Sequence, residues 1–143
     1  MTGLRMTPEQ KQIHDSVKSL CDRFDDEYWL QCDLDHRWPV EYHNAMKEAG
    51  WMGITIPQEY GGAGLGVTEA ALMMQVVGNS AGAIAACSTI QAGVFGPHAV
   101  TVHGNESQKA RILPRLASGQ DQAAFGVTEP DADSIPRTFR RAR

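Results

Sequence analysis

Cysteine is scarce in this chain of 143 residues: Cys21, Cys32 and Cys87 are all it has, and no C-x-x-C pair occurs. An odd, widely spaced set argues against a disulfide framework and a cysteine-based zinc site, and it suits a reduced, cytoplasmic setting. No apolar run approaches the ~18 residues that cross a membrane. The N-terminus soon becomes polar and amphipathic, so it does not read as a secretory signal. An excess of basic residues is also lacking. Lys and Arg number 13 against 17 Asp and Glu, a net charge of −4. Whole-chain attraction to nucleic acid or to an anionic membrane is therefore not expected. The histidines give no ligand spacing either: His98 and His103, the nearest pair, point to different helix faces. No metal site is expected, and Thr128 has no neighbouring histidine to make it a nucleophile.

What remains is an ordinary globular composition, 42% hydrophobic and 21% charged, in a length that fits one domain. Helix signals dominate. Thr7-Pro8-Glu9-Gln10 carries a cap, a first-turn proline and a capping-box glutamine. Ile13, Val17, Leu20, Cys21, Phe24 and Tyr28 then form one stripe, which predicts a first helix running to about Leu30. Pro39 opens a second, with Tyr42, Ala45, Met46 and Ala49 inward and Gly50 as its stop. Thr68 is the expected cap of a third. The segment 81–95 is apolar nearly all round, which predicts a helix buried on all sides, and Pro97 is expected to start a new short helix ending at Gly104. Asn105-Glu106-Ser107-Gln108 repeats the capping signature, Pro114 should kink or restart that helix, and Gly119 ends it.

Gly61-Gly62-Ala63-Gly64-Leu65-Gly66 follows an apolar run and precedes a helix, which imitates a dinucleotide loop. The spacing fails, because the third glycine would fall at Val67, and a flexible turn is the reading. Cys87, Ser88 and Gln91 form a slightly polar strip on the apolar helix. Either the strip is ordinary helix packing, or it faces a narrow tunnel.

The run from Ala123 to Ser134 is the most informative of all. Phe125 and Val127 alternate with small residues as in a short strand, Pro130 stops strand pairing, and the hydroxyls of Thr128 and Ser134 bracket a loop of small residues. Such chemistry suits a flat, polar-edged ligand with phosphates. This run resembles the strand and turn by which acyl-CoA dehydrogenases hold FAD. Two further blocks are similar to that family. One is Met46-Lys47-Glu48-Ala49-Gly50-Trp51-Met52-Gly53-Ile54, leading into Pro57-Gln58-Glu59-Tyr60-Gly61-Gly62-Ala63-Gly64. The other is His103-Gly104-Asn105-Glu106-Ser107-Gln108-Lys109 with Leu113-Pro114-Arg115-Leu116-Ala117-Ser118-Gly119.

The resemblance implies an all-α helical bundle, the family's N-terminal domain, over 1–122, with the first strand of the family's β-barrel near the C-terminal end. Residues 123–134 would begin the flavin-binding middle domain, and 135–143 are a basic, solvated tail. It implies FAD as cofactor, with Phe125, Val127, Thr128 and Ser134 as this chain's contribution to its site. It implies acyl-CoA as substrate, with Cys87, Ser88, Gln91 and Phe95 lining the acyl tunnel. The family's catalytic glutamate and much of its flavin site lie further along than Arg143, so the chain is expected to be truncated relative to the family and inactive alone, with weak or absent FAD binding. Asp133 and Ile135 depart from the family pattern, which has glycine and aspartate there. The implied parent reaction is α,β-dehydrogenation of an acyl-CoA thioester. The rival expectation is a non-catalytic helical interaction module or partner subunit of a split flavoenzyme; a stand-alone nucleotide-binding domain is a third. A homo-oligomer or a partner chain is expected to cover apolar helix faces.

Overall fold

The computed structural model describes residues 6–126. Six α-helices follow in order: α1 Pro8–Cys21, α2 Asp26–Leu34, α3 Val40–Glu48, α4 Val67–Gly78, α5 Ala83–His103 and α6 Glu106–Ala117, with 3-10 turns at Trp51–Gly53 and Gln58–Tyr60. The all-helical expectation holds, and no strand forms among the described residues. Residues 122–126 run irregularly, with no neighbouring strand to pair with.

Two helix starts follow the sequence reading closely. Thr7 Oγ1 accepts from the Gln10 N–H at 3.2 Å, while Gln10 Oε1 accepts from the Thr7 N–H at 3.1 Å. Asn105 and Gln108 exchange the same two bonds at 2.9 Å each. Each reciprocal pair satisfies two amide donors that a helix start leaves unpaired.

Elsewhere the structure corrects the boundaries. The first helix does not reach Leu30: it ends at Cys21, and Asp25 accepts from the Tyr28 N–H at 3.0 Å to start α2. A local cap outcompetes the continued stripe, so Phe24 still reaches the core from the turn between them. Thr68 is not the cap of α4. Gly66 is, and its N–H donates to Glu69 Oε2 at 3.1 Å. Pro97 does not start a helix but lies inside the 21-residue α5, and Pro114 lies inside α6. Packing holds α5 through Pro97, which is fully buried, because the contacts along its core stripe outweigh the one backbone bond a proline removes.

α5 is the central element. It packs against α4, α6 and α3, while α1 lies across α4 and α3. The main core joins Val17 of α1, Met46 of α3, Met73 and Val77 of α4, and Ala86, Ile90 and Val94 of α5, with Met52 and Ile54 from the first 3-10 region. A smaller cluster of Ile56, Leu113, Leu116 and Ala117 fixes α6. Phe24, Tyr28, Trp29 and Tyr42 interlock edge to face, with ring centroids 4.9 to 5.4 Å apart. Such pairs are worth about 0.5–1.5 kcal/mol each beyond their buried area. The Tyr42 hydroxyl is buried there without a hydrogen-bond partner among the described residues.

α5 is not buried on all sides. Its core stripe is Ala86, Ile90, Val94 and Pro97, but Ile84 is 76% exposed, Phe95 39% and Val102 54%. The apolar residues of the opposite face therefore form a second, uncovered surface among the described residues.

Candidate functional site

The outer face of α5 is built by its own periodicity. At 100° per residue, Ile84, Ser88, Gln91, Phe95 and Val102 fall along one line, and all five are exposed. Cys87 does not join them. It is turned toward α4, and its Sγ donates to the Met74 carbonyl at 3.8 Å. Burial pushes its thiol pKa up, which leaves it a poor nucleophile. Of the four expected tunnel residues, the structure thus brings Ser88, Gln91 and Phe95 together and sets Cys87 apart.

The segment leaving α6 is fastened beside this face. Arg115 grips Asp121 through two bonds of 2.6 Å. Gln122 Nε2 lies 3.4 Å from Nε2 of His43, a buried ring on α3 whose pKa is lowered by burial and then by Lys47. Ala123 then meets α5 at Gly96, where a Cβ would come within 2.6 Å of the Ala123 Cβ. Phe125, two residues on, is 61% exposed. Val127, Thr128 and Ser134 lie outside the described residues, as do Asp133 and the tail 135–143.

The expected flavin residues are thus represented only by Phe125, an exposed ring with no cradle around it. Residues 6–126 do not by themselves build a site that fits FAD. Glu9, Asp15, Glu41, Glu69, Glu106 and Asp121 are all held below their ordinary range, chiefly by hydrogen bonds to their charged forms. Glu41 is drawn to about 2, first by the Arg37 bond and helped by the Tyr28 hydroxyl.

The glycine loop is neither a phosphate cradle nor a flexible turn. Gly62 N–H donates to Pro57 O at 3.2 Å, Gly64 N–H to Ile56 O at 2.8 Å and Leu65 N–H to Ile54 O at 2.9 Å. A Cβ on Gly62 would stand 2.1 Å from Ile56 O, so only glycine fits this fold-back. Its amides are spent on nearby backbone carbonyls and, at Gly66, on the Glu69 carboxylate, and none is left to face a phosphate.

A groove of about 300 Å³ that the sequence did not disclose runs between the α2–α3 loop and α5. Trp29, Trp38 and Pro39 line it from α2 and the loop and Ala85, Ser88 and Thr89 from α5, and Asp33, His36 and Arg37 also belong to its lining. The only advance signal was the neighbourhood of Thr89 to Ser88; nothing local links either to Trp38.

Comparison with known proteins gives this arrangement its context. Residues 7–120 match the model of the acyl-CoA dehydrogenase N-terminal domain. The chain belongs to the acyl-CoA dehydrogenase family. Among family relatives, acyl-CoA dehydrogenase FadE12 of Mycobacterium tuberculosis is 31% identical over 98% of this chain and 37% of its own. The acryloyl-CoA reductase (NADH) of Anaerotignum propionicum is 36% identical over 73% of this chain and 26% of its own. The fold matches a glutaryl-CoA dehydrogenase solved with glutaryl-CoA, with a TM-score of 0.81 and 26% identity over 93% of this chain and 34% of that one. An acyl-CoA dehydrogenase of Bacillus anthracis solved with FAD gives 0.71 and 28% over 94% and 23%. The chain thus spans about a third of the length of the relatives it matches. Among the described residues no helix is long and apolar enough to cross a membrane, and no three metal-ligating side chains gather.

Proposed function

We propose that this chain is the N-terminal helical part of an FAD-dependent acyl-CoA dehydrogenase and that the outer face of α5 is one wall of its acyl-chain site. The observation that carries the reading is the exposed line of Ser88, Gln91 and Phe95, with the exit segment fastened beside it at Gly96. Phe95 offers apolar contact to an acyl chain, and Ser88 and Gln91 offer the few polar groups that orient a ligand in an apolar site. Cys87 acts from behind, holding α5 against α4.

FAD belongs to the whole protein, with Phe125, Val127, Thr128 and Ser134 as this chain's share of the site; when bound it supplies the hydride acceptor for α,β-dehydrogenation. What the described residues contribute is one largely apolar wall for the substrate and the anchoring of the segment that leads to the flavin. The neighbours solved with glutaryl-CoA and with FAD support both ligands for the whole protein. In the 143-residue chain alone, the uncovered face of α5 supports association with a second copy or a partner chain.

The test is a chimera in which this chain replaces the matching third of the FadE12 relative. The expected result is a yellow, folded protein that reduces an artificial electron acceptor with an acyl-CoA. A folded, flavin-loaded chimera with no turnover on any straight-chain acyl-CoA would overturn the reading.

A further inference from the structure

We propose that the neutral imidazole of His43 latches the segment leaving α6 onto the bundle through Gln122, and that a proton on that ring releases it. The latch stands whether or not the α5 face is an acyl wall. On the reading above, the segment it fixes is the one that leads to the flavin.

The segment is fastened in two stages. As far as Asp121 it belongs to α6. The Gln120 and Asp121 N–H groups donate to the Arg115 carbonyl at 2.9 and 3.1 Å, and the Arg115 guanidinium holds the Asp121 carboxylate. Gly119 lies against α3, where a Cβ would come within 2.7 Å of Lys47 Cγ. Beyond Asp121 the hold is slight. Ala123 packs beside Gly96 and the cluster that fixes α6, and 124–126 are exposed. Among the described residues, the hydrogen bond from Gln122 to His43 is the only one that 122–126 make.

That bond needs one protonation state. Gln122 Nε2 is a donor, so His43 Nε2, 3.4 Å away, must offer a lone pair. The neutral ring with its hydrogen on Nδ1 does so. A proton at Nε2 sets two donors against each other. The ring is only 7% exposed, so its charged form also lacks hydration where it stands, and opening the segment restores it.

The surroundings add no counter-charge. Burial first, and then Lys47 four residues on in α3, disfavour the imidazolium and hold the pKa of the ring below 6.5. Trp38 of the α2–α3 loop, with its ring centroid 6.3 Å away, and Gln122 are both uncharged. Of the elements packed on α3, the 3-10 turn Trp51–Gly53 has no titratable side chain, and none in α1 or α5 is felt at the ring. Asp121 is lowered and Arg115 raised by their mutual bond, so that pair stays charged throughout. His43 is thus the link in this fastening that yields as pH falls through a value below 6.5.

The test is an NMR titration of the 143-residue chain from about pH 8 to about pH 5. It follows the His43 ring signals, identified by their loss in His43→Gln, and the amides of Gln122 to Gly126. The ring should titrate below 6.5, and these amides should shift with the same midpoint while those of α1 and α4 do not. Gln122→Met, at an exposed position, removes the donor. It should raise the His43 midpoint by about 0.4–1 pH unit, the worth of one ordinary hydrogen bond, and uncouple the amides. Gln122→Glu gives the imidazolium a partner, so it should raise the midpoint further and hold the segment in place at about pH 5.5.

A midpoint unchanged or lowered in Gln122→Met would overturn the proposal; a lowered one would mean that the amide oxygen faces the ring and favours its charged form. Amides that titrate apart from His43, or that still titrate in His43→Gln, would overturn it too. Gln122 lies on the surface, so its variants decide the matter even where His43→Gln fails to fold. No arm of the titration uses acyl-CoA or flavin. A failed latch therefore leaves the reading of the function as it stands, and an inactive chimera leaves the latch.

Discussion

Gly96 and Ala123 meet where no side chain intervenes: a Cβ built on the glycine would lie 2.6 Å from the alanine's Cβ. The close approach seats the segment after α6 on the same helix that carries Ser88, Gln91 and Phe95. Gly96→Val should therefore push that segment away and cost about 1–3 kcal/mol, as overpacking does. Gly78 is the control, because a Cβ there meets Cys87 Sγ at an ordinary 3.5 Å. Gly78→Ala should be neutral or slightly stabilising by denaturant unfolding. Equal effects of the two would show that the contact at Gly96 does not matter.

Gly62 should be less forgiving still. Its missing Cβ would strike the Ile56 carbonyl, which is backbone and accepts from Gly64. Gly62→Ala should cost more than Ala63→Gly in the same loop, by roughly 1 kcal/mol or more. Thermal melting of both variants checks it, and a harmless Gly62→Ala would contradict the fold-back.

Glu41 sets an acid limit. Its folded value near 2 lies below the ordinary 4.5, so the stabilisation is complete above that ordinary value and fades as pH falls toward 2. Glu41→Gln should lower stability at pH 7, and the gap from the parent should close between pH 5 and 2. A gap independent of pH would assign the effect to packing. Tyr28 gives the alkaline counterpart. Burial first, then its bond to Glu41, raises its hydroxyl to about 12, so its contribution is present below pH 10 and is lost as pH climbs through 12.

The three thiols should be sluggish. Cys21 and Cys32 are buried, and burial raises the pKa of both Cys21 and Cys87. A thiol reagent should label the native chain far more slowly than the chain in denaturant. Fast native labelling of any one of them would reveal an opening not present in this structure.

Alone, the 143-residue chain should turn over no acyl-CoA and keep no stoichiometric flavin through gel filtration. A general base works best with its pKa near the operating pH, and the carboxyls named above are shifted the other way. Acceptor reduction above a heat-treated control would expose a base among these residues. Sedimentation should show association driven by the outer face of α5, weakened in Ile84→Lys/Phe95→Lys. A parent that stays monomeric at every concentration would remove that expectation.

Local chemistry was the legible part of the sequence. The capping boxes at Thr7 and Asn105 and the stops at Gly50 and Gly119 depend on neighbours a few residues away, and they stand where the residues put them. The two family blocks between Met46 and Gly119 likewise carried the fold. Illegible were the choices made by distant packing. Pro97 continues a helix because its surroundings are buried. Ile84, Phe95 and Val102 look like core by composition, yet the bundle covers only the opposite stripe. Trp38 joins Ser88 across the α2–α3 loop, a meeting that periodicity along one helix cannot disclose.

α2 makes no close backbone approach to any other described helix; Tyr28, Trp29 and Cys32 hold it through side chains alone. Its amides are thus protected by the least cooperative part of the molecule. In hydrogen exchange they should report a local opening that leaves α1, α4 and α5 closed, so this flank can move while the rest of the domain keeps its stability.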